Sequence, residues 1–480
     1  MRLDLATTAA AMGGRMLGAE PADGWSGVSW NGATFDSRQV AGGELFFALP
    51  GEQTDGHRFV AAALGNGAAA AVVHESCEAP DGGALIRVDD VFTALHALTR
   101  HLLAAGEPGS IVAVTGSAGK TTTKELLAAM LGSRYRVARN EGNLNNTYGF
   151  PLSVLRLPAG VEWMVAEMGM STPGELETLS RLSRPQAVVF TCVRPAHLEF
   201  FADGLAGIAA AKAELLTGLV PGGLVVANAD DPEIVRFVGR YAADHPEARV
   251  VWFGRGESAD VTAREVEVEE GGSRFTLVAG PGVAADGEPV ERPVRLTLHG
   301  GYNVDNALAA AAAALALGAS ADEVAAGMAG AAPAAGRGVV HRLPGDRVLI
   351  DDSYNSNPDA LSRALAAAAA LARAGGARRR WAVLGDMLEL GPEAPRFHGE
   401  AGAEAARLGF SPVAGVGELS RALVEAAGEA DEVEAIWFED AAAAAGWAAG
   451  ELADGDLVLV KGSRGVRLDR VVERLRGEAA

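Results

Sequence analysis

The chain has 480 residues, beyond the roughly 250–300 at which a single hydrophobic core stops growing, so two or three domains are expected. Its 62 acidic against 41 basic side chains leave a formal charge of -21, which argues against a broad nucleic-acid surface and makes any anion site local. Only Cys77 and Cys192 are present, too few for a disulfide framework or zinc cluster, and no run of about 18 uncharged apolar residues offers a membrane span, so a soluble protein of the reducing cytoplasm is expected.

In chain order, the stretch WNGATFDSRQVAGGELFFALPGEQTDGHRFV sets short strand-like runs among Gly, Asp and Pro. A helical segment and the strand Ala70 to Val73 follow, predicting a small N-terminal α/β module over 1–88. After a helix over Val91 to Leu103 and a break at Ala104 to Ser110 comes the apolar run Ile111 to Val114, then TGSAGKTTTKE from Thr115 to Glu125. This reads as strand, phosphate-binding turn and helix. Gly116 and Gly119 let the backbone approach phosphate oxygens, the turn and helix start present N–H groups, and Lys120 adds a point charge. Thr121 is placed to offer its hydroxyl to Mg2+. Two residues separate Gly116 from Gly119-Lys120, where the general P-loop pattern has four, so a glycine-rich turn with a solvated lysine is the alternative.

Further on, Trp163 to Ala166, Ala187 to Thr191 and Leu224 to Ala227 alternate with helical stretches, as a mainly parallel sheet requires, and Arg274 to Leu298 is hairpin-like. The alanine-dense stretches Ala307 to Ala316 and Ala364 to Ala372 are ordinary helices, since alanine is the best helix former. A Gly, Ala and Pro break at Gly330 to Gly338 precedes a second doubly wound unit, with strands Val348 to Asp351, Trp381 to Leu384, Val413 to Val416, Ala435 to Phe438 and Leu457 to Val460. Polar strings follow three of these strands, at Asp352 to Pro358, Gly385 to Glu389 and Lys461 to Arg464, where parallel sheets bind ligands. The expected fold is therefore α/β in three domains: the N-terminal module (1–88), a central P-loop-type parallel-sheet ATP-binding domain (89–333) and a C-terminal Rossmann-like domain (334–480).

Seven further strings accumulate: GNLNN (Gly142 to Asn146), EMGMSTPGEL (Glu167 to Leu176), AHLEFF (Ala196 to Phe201), AKAEL (Ala211 to Leu215), DDSYNSNPDAL (Asp351 to Leu361), GDMLELG (Gly385 to Gly391) and VKGSR (Val460 to Arg464). With FDSR at Phe35 to Arg38 they resemble, in order and across all three domains, the Mur ligases of peptidoglycan synthesis. The resemblance implies ATP and Mg2+. It also implies phosphorylation of a carboxylate followed by its capture by an amine, with no enzyme nucleophile, in keeping with a site that works by positioning and charge neutralisation. YNSNPDAL and GDMLELG point to the member that takes UDP-N-acetylmuramoyl-tripeptide and D-alanyl-D-alanine. A neighbouring member adding one diamino acid, and a nucleotide-binding regulatory protein of the same fold, are the alternatives. A monomer is expected.

The same resemblance implies residue roles. Lys120, Glu167, His197 and Lys212 are the catalytic set, with Thr121, Glu167, His197 and Lys212, if carbamylated, as metal ligands. Thr115, Gly116, Ser117, Ala118, Gly119, Lys120, Thr121 and Thr122 would bind ATP, with Asn303, Asn306, Arg337, Asp352 and Asn355. Ser37, Arg38, Asp55, His57, Asn143, Asn145, Asn146, Tyr354 and Asn357 would bind the other substrates, and Lys461 and Arg464 offer further anion contacts. Each has a plainer alternative: helix capping for Asn303 and Asn306, a surface ion pair for Arg38, a solvated helix lysine for Lys212. Two departures stand out. Thr191, Cys192, Val193, Arg194 and Pro195 replace a Thr-Asn-Ile-Gly-like string, putting a bulky cation where glycine is typical, and Tyr302 replaces a histidine.

Overall fold

A computed structural model describes residues 3–51, 54–74, 83–269 and 271–477; Cys77 lies outside them. The chain forms two compact units. One gathers the chain up to Val114 with Arg134–Val188 and Glu214–Gly223; the other comprises Thr115–Ser133, Val189–Ala213 and the chain from Leu224 onward.

The first unit opens with β1 (Arg15–Leu17), β2 (Ala33–Thr34), β3 (Leu45–Phe47), β4 (Ala70–Val73) and β5 (Leu85–Arg87), in the order β1-β5-β4-β3-β2. All neighbours are parallel except β1 with β5. Parallel strands are covered on both faces and so read as continuous apolar runs. Leu45, Phe47, Val72 and Ile86 pack with Leu95 and Leu98 of the Val91–Ala104 helix, while Phe46, Ala71, Val73 and Leu85 pack with Val60 and Ala63.

A nine-stranded sheet follows, of β6 (Ser110–Thr115), β7 (Val137–Arg139), β8 (Trp163–Glu167), β9 (Ala187–Phe190), β10 (Leu224–Asn228), β11 (Arg249–Phe253), β12 (Val261–Glu269), β13 (Gly272–Ala279) and β14 (Val290–Leu296). The order is β9-β6-β8-β7 in the first unit and β14-β13-β12-β11-β10-β9 in the second, with β9 divided after Val188. Strands β6, β7 and β8 run parallel, as do β10, β11 and β12, whereas β12, β13 and β14 are antiparallel. Strand β12 is absent from the expected elements because VTAREVEVE is mostly solvent-facing and has no apolar run.

The last sheet contains β15 (Val339–Leu343), β16 (Arg347–Asp352), β17 (Arg380–Gly385), β18 (Val413–Val416), β19 (Ala435–Phe438) and β20 (Leu457–Lys461), in the order β15-β16-β20-β17-β18-β19. Only β15 is antiparallel to its neighbour. Five of these strands match the expected ones to within a residue at either end. Both alanine-dense stretches are helical, within Tyr302–Ala316 and Pro358–Ala374. The first is buried at every residue from Asn303 on except Asp305, and needs no polar face.

Candidate active site

Strand β6 delivers the phosphate loop. Gly119 adopts φ +80° and precedes the helix Lys120–Gly132, whose first turn presents main-chain N–H groups unpaired within the helix. A side chain at Gly119 would collide with the Asn306 amide, and one at Gly116 with the Thr191 hydroxyl. Lys120 Nζ donates to the Gly116 carbonyl at 2.8 Å, curling its ammonium over the loop. Thr121 and Thr122 are half-buried, and the buried Thr115 Oγ1 accepts and donates no hydrogen bond. A glycine cradle, a helix N-terminus, a lysine and an unused hydroxyl fit a phosphate chain.

The loop is held from behind by the Thr191 hydroxyl and by main-chain atoms of Cys192 and Arg194. Thr191 Oγ1 donates to Ala118 O at 2.5 Å, and the Ser117 N–H to Cys192 O at 2.8 Å. Ser117 Oγ lies 2.9 Å from both the carbonyl and the N–H of Arg194, donating to one and accepting from the other. The departures at Cys192 and Arg194 therefore keep the tether to Ser117, which uses their main-chain atoms.

Asn303 and Asn306 share one helix face as their spacing requires: Asn306 Nδ2 donates to Asn303 Oδ1 at 2.9 Å and Asn303 Nδ2 to His299 O at 2.6 Å. Neither caps the helix, whose N-cap is Gly301. Burial pushes the neighbouring Tyr302 hydroxyl far above its usual range, with the Asp352 charge adding to the effect.

Lys212, on the helix Gly204–Ala213, is 4% exposed, which contradicts the solvated alternative. Burial, reinforced by the Lys120 charge, lowers its ammonium to about 7. His197 stands at φ +58° and its Nδ1 meets the carboxylate of Glu389, itself at φ +64°, so AHLEFF and GDMLELG meet. That contact holds the Glu389 carboxyl below its usual range and engages His197 through Nδ1.

In the C-terminal sheet, Asp352 and Lys461 are register partners on β16 and β20, joined at 2.7 Å, and Lys461 also donates to Asn355 O at 2.9 Å. Asn355 itself is exposed, its Oδ1 accepting from the Ser356 N–H at 2.8 Å. Asn357 caps the helix Pro358–Ala374 through the Ala360 N–H and reaches Ser117 O at 3.4 Å. Arg337 stacks on the Tyr354 ring at 4.2 Å, with Arg464 at 5.3 Å from the same ring.

In the other unit, Glu167 ends β8 and is 3% exposed, in register with Val114, the last residue before the loop begins. Asn145 Nδ2 donates to Glu167 Oε1 at 2.8 Å, and Asn140 pairs with the main chain of Glu167 through both amide atoms.

Comparison with known proteins now decides the family. Models described as "Mur ligase family, catalytic domain", "Mur ligase middle domain" and "Mur ligase, glutamate ligase domain" match residues 30–129, 114–314 and 336–464. The chain belongs to the Mur ligase family. It is 34% identical over 448 residues, 93% of each chain, to the UDP-N-acetylmuramoyl-tripeptide--D-alanyl-D-alanine ligase of Bacillus subtilis. A crystal structure of MurF from Acinetobacter baumannii matches with TM-score 0.83 and 28% identity over 99% of both chains. MurF ligase from Thermotoga maritima in complex with ADP matches with TM-score 0.75 and 28% identity, covering 93% of this chain and 97% of that one.

In this Mur ligase the first-domain strings are tied down locally. Arg38 is 88% exposed along its side chain and forms its ion pair with Asp36 at 2.8 Å, which is the plainer alternative for it. Ser37 is buried, its carbonyl accepting from Asn66. The His74 N–H donates to His57 Nε2, so His57 carries its proton on Nδ1 and donates it to Asp55 at 2.7 Å. The two N–H groups of His57 hold the Asp55 carboxyl below its usual range. Asn146 Oδ1 accepts from the N–H of Gly149 at the start of the helix Gly149–Leu155, and Asn143 is exposed.

Sequence reasoning missed Glu389, Asn140 and Asp231 in this Mur ligase. Glu389 lies inside a string already singled out, and its contact with His197 is 192 residues distant in the chain. Asn140 lies just before GNLNN with no pattern of its own. Asp231 is buried at the start of the helix Pro232–Asp244, where an Asp-Pro pair signals only a cap.

Proposed function

We propose that this Mur ligase joins D-alanyl-D-alanine to UDP-N-acetylmuramoyl-tripeptide at the expense of ATP, in the cytoplasm, forming the UDP-N-acetylmuramoyl-pentapeptide. The supporting observation is likeness over 93% of both chains to a ligase named for that reaction, with the phosphate loop intact at the end of β6. An oxygen of the tripeptide carboxylate attacks the γ-phosphorus of ATP as the bond to ADP breaks, giving an acyl phosphate. The dipeptide amine then attacks the acyl carbon, the bond to phosphate breaks, and the amine loses a proton as the peptide forms.

The chain's part is to bind, orient and neutralise. Lys120 and the loop N–H groups take the outer phosphates, and Asn306, packed on Gly119, sets the loop's inner face. Mg2+, when bound with the nucleotide, neutralises phosphate charge. The Thr121 hydroxyl and the Glu167 carboxylate, held by Asn145, are oxygen donors of the type it takes, although among the described residues no three His, Cys, Asp or Glu side chains form a metal cluster by themselves. Lys212 has the neutral-prone amine that carbamylation by CO2 requires, and His197 Nε2 is its counterpart ligand. We assign 1–88 to the UDP end of the substrate through Ser37, Arg38, Asp55 and His57. Residues 89–333 take ATP, and 334–480 bring Arg337, Tyr354, Asn355 and Asn357 to the reacting groups.

Phosphate release tests this. It should require ATP, Mg2+, the UDP-tripeptide and D-alanyl-D-alanine together, and Lys120→Ala should lower it at least about a hundredfold by removing charge from the transferring phosphate. Turnover with a single diamino acid instead of the dipeptide, or full activity of Lys120→Ala, would overturn the reading.

A further inference from the structure

We propose that Arg194 is a positioning residue, the link in a chain of alternating charges that sets the phosphate loop against the start of the Pro358–Ala374 helix. Five ion pairs run in series. Arg255 Nε meets Asp305 Oδ1 at 2.8 Å, and Asp305 Oδ2 meets Arg363 Nη1 at 3.7 Å. Arg363 Nε meets Asp359 Oδ2 at 2.9 Å, Asp359 Oδ1 meets Arg194 Nε at 3.4 Å, and Arg194 Nη1 meets the buried Asp231 at 2.6 Å.

The chain borders the loop at three places. Arg194 holds Ser117 Oγ through its own main chain. Asn357, two residues before Asp359, reaches Ser117 O. Asp305 immediately precedes Asn306, which fills the space over Gly119. A glycine at 194 would keep the main-chain bonds to Ser117 but lose the guanidinium that joins Asp231 to Asp359. The inner end is anchored, because Asp231 Oδ2 also accepts the Val193 N–H at 2.8 Å. The outer members are about a third exposed, so salt weakens the series from that end.

Members of one charge network couple non-additively, and this gives the test. Arg194→Gln, Asp359→Asn and the double variant are compared in the full chain by amide hydrogen exchange over 115–121 and 353–362, well below each unfolding temperature, at low salt and in 0.5 M NaCl. At low salt each single variant should speed exchange in both segments about tenfold, the double variant no further, and high salt should bring the wild type towards the variants. Multiplying effects, or faster exchange confined to the segment nearest each substitution, would overturn the proposal; a general loss of stability would speed exchange elsewhere too. A second arm rests on the proposed reaction: kcat should fall five- to tenfold in each single variant and recover in part in Arg194→Lys, with Mg-ADP affinity within twofold. Absence of wild-type turnover would sink the reaction while the exchange cycle still decides the role of Arg194.

Discussion

Lys212 shows how a single side chain can be set against the stability of the fold. Its ammonium falls from 10.5 to about 7 on burial, so between those values the unfolded chain binds more protons than the folded one. The penalty is therefore fully present below about pH 7 and fades as pH rises toward 10.5. In CO2-depleted buffer, Lys212→Met should raise the unfolding temperature at pH 7, with a gap from wild type that narrows toward pH 10, while with CO2 supplied its turnover should lie at least about a hundredfold below wild type. A gap independent of pH would show that the buried charge is not its source. The residue was legible only through its string AKAEL; a lysine beside Glu214 reads as solvated, and its burial comes from packing that a local window does not contain. Glu214 turns to the Gly174 N–H at 2.9 Å, capping the helix Glu175–Ser183. His197 was legible by the same route, but its partner Glu389 was not, since contact across 192 residues leaves no local pattern.

Among the elements, the phosphate loop was the most legible, because strand, glycine turn and helix each carry their own chemistry in sequence. Its short spacing is accommodated by Gly119 at φ +80°, pressed on the Asn306 amide. Gly119→Ala would strain the left-handed conformation and displace that amide, costing about 1–3 kcal/mol locally. Calorimetric titration should then show Mg-ADP binding at least about tenfold weaker, and unchanged affinity would mean that the loop tolerates a Cβ. Strands buried on both faces, such as β4, β17 and β18, were legible as apolar runs for the reason that hid β12: the pattern reports burial rather than strand geometry. Cys192 and Arg194 read as departures, yet both tether Ser117 through backbone groups, and only Thr191 beside them holds the loop by its side chain.

At the scale of the molecule, the α/β class and the presence of three sheets were legible from apolar runs alternating with helical stretches. The compact units were not legible, because each is assembled from segments far apart in sequence and their division falls within β9. No described helix is long and apolar enough to cross a membrane. Two units of this kind need not melt together. Scanning calorimetry should resolve more than one transition, and saturating Mg-ADP should raise the one that contains Thr115–Ser133 by several degrees, since at a hundred times Kd a ligand adds about 2.7 kcal/mol to the state that binds it. A uniform shift of one cooperative transition would show that the units unfold as one.

The backbone tether of the phosphate loop also bears on how the protein could be inhibited. Beside the main-chain bonds, Cys192 Sγ lies 3.6 Å from the Ala118 carbonyl of the loop. Cys192 is 8% exposed, so an electrophile carried by a nucleotide-competitive compound would reach this sulfur only with the loop drawn aside, and covalent capture would report loop movement.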